Sequence, residues 1–522
     1  MARVLNVGIG VFILAFIWAI ALIAFVLVAR SRSSAKSIGI GMIFLAIVIT
    51  IILLLIPRGK VTEDSNVVYD EFSGPRIASL VLGSIFILLG PIAWFLFYGL
   101  LPLRAINLRK LKTMILTFFG IILFPIEFES IIKDFSEDEK KMFRSNKDYD
   151  PHRIMIKALN KIDTLMIFRI IYIDTFKRIF RKELEMEKLI KNDPSIVENP
   201  VKNPVFLIGL PRTGTTLLHN LLHLDPRLKI PLNYELMFFS MYAGGAKEDD
   251  PLFHKHTEDI KMFTNCLAPS FTQVHDYSAG EPEECHTLFE QAGISFEIFS
   301  IYPDNAVYEY NKYMIEVIES LELQKQLYNR YEKLVQVYLR YVKDQNVRYV
   351  AKSRLHNFYL EALIEKFPDA KFVVTHRSMQ NVVPSWSTLY DVVNREDWRL
   401  DFTSYEIARK CMYHLKHLSG KAIENRKKLE ERGFGDRFTD ISYTDLVKDP
   451  INEMKKVYKQ INLEWTDECE SRIKNYMSLS KQKRKKVGVK KYTLSQFKLS
   501  PQQIDNEFRH YTDFLEERNI KV

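Results

Sequence analysis

Two glycines with four residues between them, in Gly209-Leu-Pro-Arg-Thr-Gly214-Thr-Thr, stand between an apolar run and a helix-like pattern. Backbone N–H groups at a helix start bind anions, and Arg212, Thr213, Thr215 and Thr216 add donors that suit a phosphate. A loop that grips the β- and γ-phosphates of a nucleotide carries Lys directly after the second glycine. Here that place is Thr215, and the cation has moved to Arg212. A magnesium-dependent NTPase also needs a carboxylate at a strand end, whereas the strand-like runs VRYVAKS and KFVVTHR end in Lys352-Ser353 and His376-Arg377. The chemistry implied is binding of a phosphate ester without a metal ion. Groups able to take a proton stand between the loop and these runs: His275, then Glu281, Glu283, Glu284 and His286 in GEPEECH.

These residues need a scaffold that brings them to one edge. VFLIG before the loop is a short apolar run of the kind that forms a buried parallel strand, and TTLLHNLLHL behind it has helical spacing. VRYVAKS and KFVVTHR flank the helical LHNFYLEALIEKFPDA and read as a second strand–helix–strand unit. The alternation predicts an α/β domain over 201–522, with a mainly parallel sheet flanked by helices and ligands at the carboxyl ends of its strands. Residues 131–200 read as a helical linker ending in the Pro-rich NDPSIVENPVKNP.

Residues 1–130 differ in kind. Uncharged apolar runs at 4–29, 38–56 and 78–103 are each long enough to cross a bilayer as a helix, and 114–126 reads as an interfacial helix or a fourth span. Arg30, Arg32, Lys36, Arg104, Arg109, Lys110 and Lys112 mark the cytosolic side, and the number of spans then decides which side holds the large domain. The chain is therefore expected to be a multi-pass membrane protein with the bilayer as a partner. Among its 522 residues, 47% are apolar, and four scattered cysteines exclude a disulfide-dense scaffold. Of the net charge of +9, much sits in seven Lys or Arg between Lys481 and Lys491, which argues against a nucleic-acid-binding face.

PRTGTT after an apolar strand, then HLDP, then KFVVTHRSMQNVVPSWS resembles the sulfotransferases that use 3′-phosphoadenosine 5′-phosphosulfate (PAPS), in particular the Golgi-type and bacterial branch. The resemblance runs from about Asn203 to Val522 and implies a P-loop-like sulfotransferase fold in an endomembrane setting. It implies that Arg212, Thr213, Gly214, Thr215 and Thr216 hold the 5′-phosphosulfate, and that Arg377 and Ser385 hold the 3′-phosphate. It further implies that Glu235 is the base, that Lys352 contacts the leaving phosphate and the sulfuryl oxygens with Ser353 beside it, and that Arg484, Lys485 and Gly488 close over the adenosine 3′-phosphate. Glu235 stands two residues farther from the loop than in the tyrosylprotein branch. His275 and the GEPEECH residues stay alternative bases, His being the base of the cytosolic branch. The expected reaction moves a sulfuryl group from PAPS to an acceptor hydroxyl of carbohydrate, lipid or protein, with Arg212 and Lys352 stabilising the group in transit. A P-loop kinase or NTPase, and a non-catalytic membrane-anchored nucleotide-fold protein, are the alternatives.

Overall fold

Val205–Gly209 (β1) is an apolar run with every residue buried, a pattern suited to a strand covered on both faces. Leu228–Lys229 (β2), Arg348–Lys352 (β3), Lys371–His376 (β4) and Phe438–Ser442 (β5) join it in a five-stranded sheet of order β2-β3-β1-β4-β5, every neighbouring pair parallel. Successive side chains point to opposite faces. Val205, Leu207, Val350, Val373 and Ile441 therefore pack with Leu218, Leu221, Met454 and Val457 on one side, while Phe206, Ile208, Ala351 and Phe372 pack with Tyr328 and Leu360 on the other. The expected α/β architecture is what forms. Registers Leu207↔Lys352, Gly209↔Thr375 and His376↔Ser442 bring the loop glycine, Lys352 and the end of β4 to one edge.

The computed structural model describes residues 126–522 except 162–165, 242–248, 268–269, 272–273, 276, 296–307, 343–345, 394–401 and 488–491, together with 3–4 and 7–8. The chain divides into two units, Met1–Phe95 and Leu96–Val522. In the first, Arg3–Val4 and Val7–Gly8 pair antiparallel. This corrects the expectation of a helix starting at Val4, in a stretch where Asn6 and Gly8 are weak helix formers. The remainder of 4–29, the runs 38–56 and 78–103, and residues 114–125 lie outside the described residues. Among the described residues no helix is long and apolar enough to cross a membrane.

The helices that carry or brace the site are Met166–Asn192 (α1), Thr215–His223 (α2), Asn233–Met237 (α3), Leu321–Leu339 (α4), Met379–Val393 (α5), Ser404–Glu431 (α6), Asp467–Val487 (α7) and Arg509–Glu517 (α8). The stretch expected to be a linker is part of the domain core. Phe176, Phe180 and Leu184 recur at helical spacing on α1, and Phe180 stacks on Phe143 with ring centroids 5.0 Å apart. Arg330 of α4 bonds Glu183 of α1 at 2.7 Å, and His152 reaches the carbonyl of Glu290 at 3.0 Å. The sequence pattern gave the helices correctly, but an amphipathic helix does not reveal which apolar surface its stripe meets.

Candidate functional site

The loop after β1 is shaped by two residues with positive φ, Arg212 at 65° and Gly214 at 100°. Gly214 caps α2 in the left-handed region, and a Cβ there would lie 2.5 Å from the Tyr443 ring, so both backbone and space demand glycine. Thr215 and Thr216 then open α2 at the sheet's ligand edge. Thr213 does something else. Its hydroxyl is buried, donating to the Leu210 carbonyl at 2.6 Å and pairing with the Thr375 hydroxyl at 2.6 Å, so it staples the loop to β4. The Thr213 hydroxyl, expected to face a phosphate, makes both of its bonds within the protein.

The loop and the second motif meet. Arg212 Nε donates to Ser385 Oγ at 2.9 Å, and Arg377 Nη1 donates to the carbonyl of Arg212 at 3.0 Å. Pro384 removes one N–H from the α5 ladder immediately before Ser385. Arg377 also lies over the ring of Tyr443, 4.3 Å from its centroid, a cation–π contact that orients the guanidinium. Burial, with Arg377 nearby, lowers the proton affinity of Arg212, which nonetheless stays charged as arginine does. Among the described residues neither guanidinium is paired with a carboxylate. Two such cations stand side by side past the carboxyl ends of β1 and β4, an arrangement that would suit an anion.

Lys352 ends β3 across the same edge. It is 3% exposed, and its Nζ lies 3.3 Å from Thr216 Oγ1 and 3.5 Å from Glu284 Oε1. Glu284 also pairs with Arg354 at 3.2 Å. Burial raises its carboxyl, but the Lys352 and Arg354 cations outweigh that and hold it at about 2. The carboxylate is thus a poor base and a good anchor for Lys352. His275 is half-buried and within electrostatic reach of Glu283, Lys352, Arg212 and Glu284. Burial pushes its imidazole below the usual value, keeping it neutral at physiological pH. Phe271 and Tyr277 flank that imidazole at 5.4 and 6.2 Å between ring centroids.

Glu235 has partners of its own. Its carboxylate is 3% exposed and has three partners: Lys229 Nζ at 3.0 Å, the Leu232 N–H at 2.9 Å and Tyr338 Oη at 2.6 Å. Lys229 stands opposite Tyr349 in the sheet, three residues before Lys352, about 10 Å back along the strand. The expected base is a buried carboxylate that caps α3, which a Glu at a helix's third position readily does. Glu283 accepts the Glu284 N–H at 2.7 Å, Glu281 is exposed, and His286 opens the helix His286–Glu290 near Glu284. Ser353 Oγ accepts the Leu355 N–H at 3.2 Å, as the cap of Arg354–Phe358. Arg484 and Lys485 lie in α7, and Gly488 lies outside the described residues. The sequence reading missed Tyr443 and Arg354, both just past a strand end, a position that would have singled them out on a parallel sheet.

Residues 204–467 match the family model described as Sulfotransferase family, and residues 1–59 match that of the N-terminal domain of Transmembrane protein 218. The chain is 27% identical over 264 residues, 50% of its length, to proteins of Mycobacterium bovis and Mycobacterium tuberculosis named omega-hydroxy-beta-dihydromenaquinone-9 sulfotransferase Stf3. That alignment spans 63% of those relatives, less than two thirds of their own length. The solved sulfotransferase STF1 of M. tuberculosis is similar over 74% of this chain and 100% of its own, with a TM-score of 0.58 at 20% identity. Sulfotransferase STF9 of Mycobacterium avium is similar over 76% and 98%, with a TM-score of 0.61 at 19% identity. These two structures share the fold described above. With half of its length inside the family model, the chain belongs to the sulfotransferase family.

Proposed function

We propose that this protein transfers the sulfuryl group of PAPS to the hydroxyl of an apolar, membrane-delivered acceptor. The observation that carries the donor assignment is the pair of carboxylate-free guanidiniums, Arg212 and Arg377, joined through the Arg212 carbonyl and Ser385. A donor with a phosphosulfate at one end and a 3′-phosphate at the other requires two anion sites, which the loop 209–216 and the Arg377–Ser385 pair supply. In this reading His275 takes the acceptor's proton as the acceptor O–S bond forms and the bridging S–O bond to phosphate breaks. Lys352, anchored by Glu284, offsets the charge that develops on the bridging oxygen. Release of 3′-phosphoadenosine 5′-phosphate (PAP) completes the turnover.

The acceptor class rests on three supports: the aromatic rings of Phe271 and Tyr277 beside His275, the apolar runs of the first 130 residues, and a relative named for a menaquinone-derived alcohol. Membrane association is supported by the same runs and by the match at residues 1–59. An endomembrane location follows from the Golgi-type loop alone.

The test is a thermal shift of the detergent-solubilised protein with PAP, against ATP or GTP with magnesium, because a ligand that binds only the native state raises the melting temperature. PAP alone is expected to stabilise, and Arg377→Ala to abolish the effect. Stabilisation by ATP or GTP alone, or by nothing, sinks the donor assignment. Sulfation from labelled PAPS of a long-chain isoprenoid alcohol, in preference to a tyrosine peptide or a sugar, is the expected acceptor result; the reverse preference sinks that part.

A further inference from the structure

A buried line of polar groups that this reaction does not use runs behind Arg377. His376, the last residue of β4, is 3% exposed, and its ring nitrogens lie 2.9 Å from Asp440 Oδ1 on β5 and 3.1 Å from Tyr511 Oη on α8. The other oxygen of Asp440 takes Arg426 of α6 at 3.5 Å, and Arg426 shares Glu430 with Arg518 just past α8. Tyr511 thus bonds the residue that directly precedes Arg377 in the chain. One proton arrangement satisfies every member. The Tyr511 O–H donates to His376 Nδ1, and His376 Nε2–H donates to Asp440.

Packing alone does not hold this line in place. A cavity of about 40 Å³ lies beside it, lined by Gly209, Leu210, His376, Asp440, Tyr511 and Phe514. Where neighbouring atoms do not fill the space, the hydrogen bonds decide how His376 is seated, and with it where the next residue, Arg377, leaves β4. The Arg377 side chain then reaches its two partners, the Arg212 carbonyl and the Tyr443 ring, from that fixed root. Gln380 bonding Asp505 at 2.8 Å ties the start of α5 to the C-terminal helices at a second point.

We propose that Tyr511, held by His376 and Asp440, is a positioning residue for the donor's 3′-phosphate group, so that the C-terminal helix α8 forms part of the donor site although it touches no donor atom. This rests on the reading that Arg377 binds the donor. The test compares full-length wild type, Tyr511→Phe, Asp440→Asn and Arg377→Ala by PAP titration calorimetry and by steady-state kinetics with PAPS. Tyr511→Phe keeps the ring and removes one hydroxyl. It is expected to weaken PAP binding and raise the PAPS KM by about tenfold, with kcat and the acceptor KM within about twofold. Asp440→Asn, which removes only the charge at the far end, is expected to shift PAP affinity in the same direction by a smaller factor, and stands in if the Phe variant does not fold. Unchanged PAP affinity in both variants, with Arg377→Ala abolishing binding, overturns the positioning role and leaves the donor reading intact. Full PAP binding by Arg377→Ala overturns the donor reading and this inference with it.

Discussion

At the residue scale, the assignment of the base turns on which proton acceptor has a free lone pair beside Lys352. Glu284 has two cations on it and Glu235 has three partners, whereas His275 is a half-buried imidazole close to both Lys352 and Arg212. His275→Ala is expected to lower turnover by about 10²- to 10⁴-fold, with the PAP-induced thermal shift retained. Burial disfavours the charged imidazolium, so its pKa lies below the ordinary value of about 6.5. Activity should hold as pH falls to that value and decline only below it, and this acid limb of kcat/KM should vanish in the alanine variant. Glu235→Gln is expected to leave the turnover of folded enzyme within a few fold while costing about 2 kcal/mol of stability, read by denaturant unfolding. A 100-fold loss of turnover at full stability would restore Glu235 as the base.

At the scale of elements, the loop between β1 and α2 works through its backbone. Gly214 sits at a φ of 100° against the Tyr443 ring, and that ring also carries Arg377, so one ring bears on both the loop and Arg377. Gly214→Ala incurs about 1–2 kcal/mol for the left-handed backbone alone, before the methyl displaces the ring. The expected outcome is a lower melting temperature together with loss of PAP stabilisation; an unaltered PAP shift would mean that Tyr443 does not couple the two sites. Much of this element was legible in advance, since Gly-x4-Gly between an apolar strand and a helix is a local pattern. The inward turn of Thr213 was not, because its partner Thr375 is 162 residues away.

At the scale of the whole molecule, residues 126–200 join the core of the catalytic unit rather than linking to it. Phe180 is fully buried, with Phe143, Tyr149 and Phe128 around its ring. Phe180→Ala should remove about 3–5 kcal/mol, and calorimetry should show the PAP-stabilised transition itself moving down. A PAP-stabilised transition that stays in place while a separate one shifts would make 126–200 an independent unit. The sequence by itself determined three of the five strands, the parallel arrangement, the Gly-x4-Gly loop between strand and helix, and the basic strand ends at Lys352 and Arg377. All of these are local patterns of hydrophobicity and of glycine and charge placement. Only the tertiary structure decided that Arg212 reaches Ser385, that Glu284 meets Lys352, and that Tyr511 meets His376. Each of those contacts joins residues far apart in the chain, and which of several similar carboxylates or hydroxyls meets a given cation is set by how helices pack on the sheet, a property no local window of sequence contains.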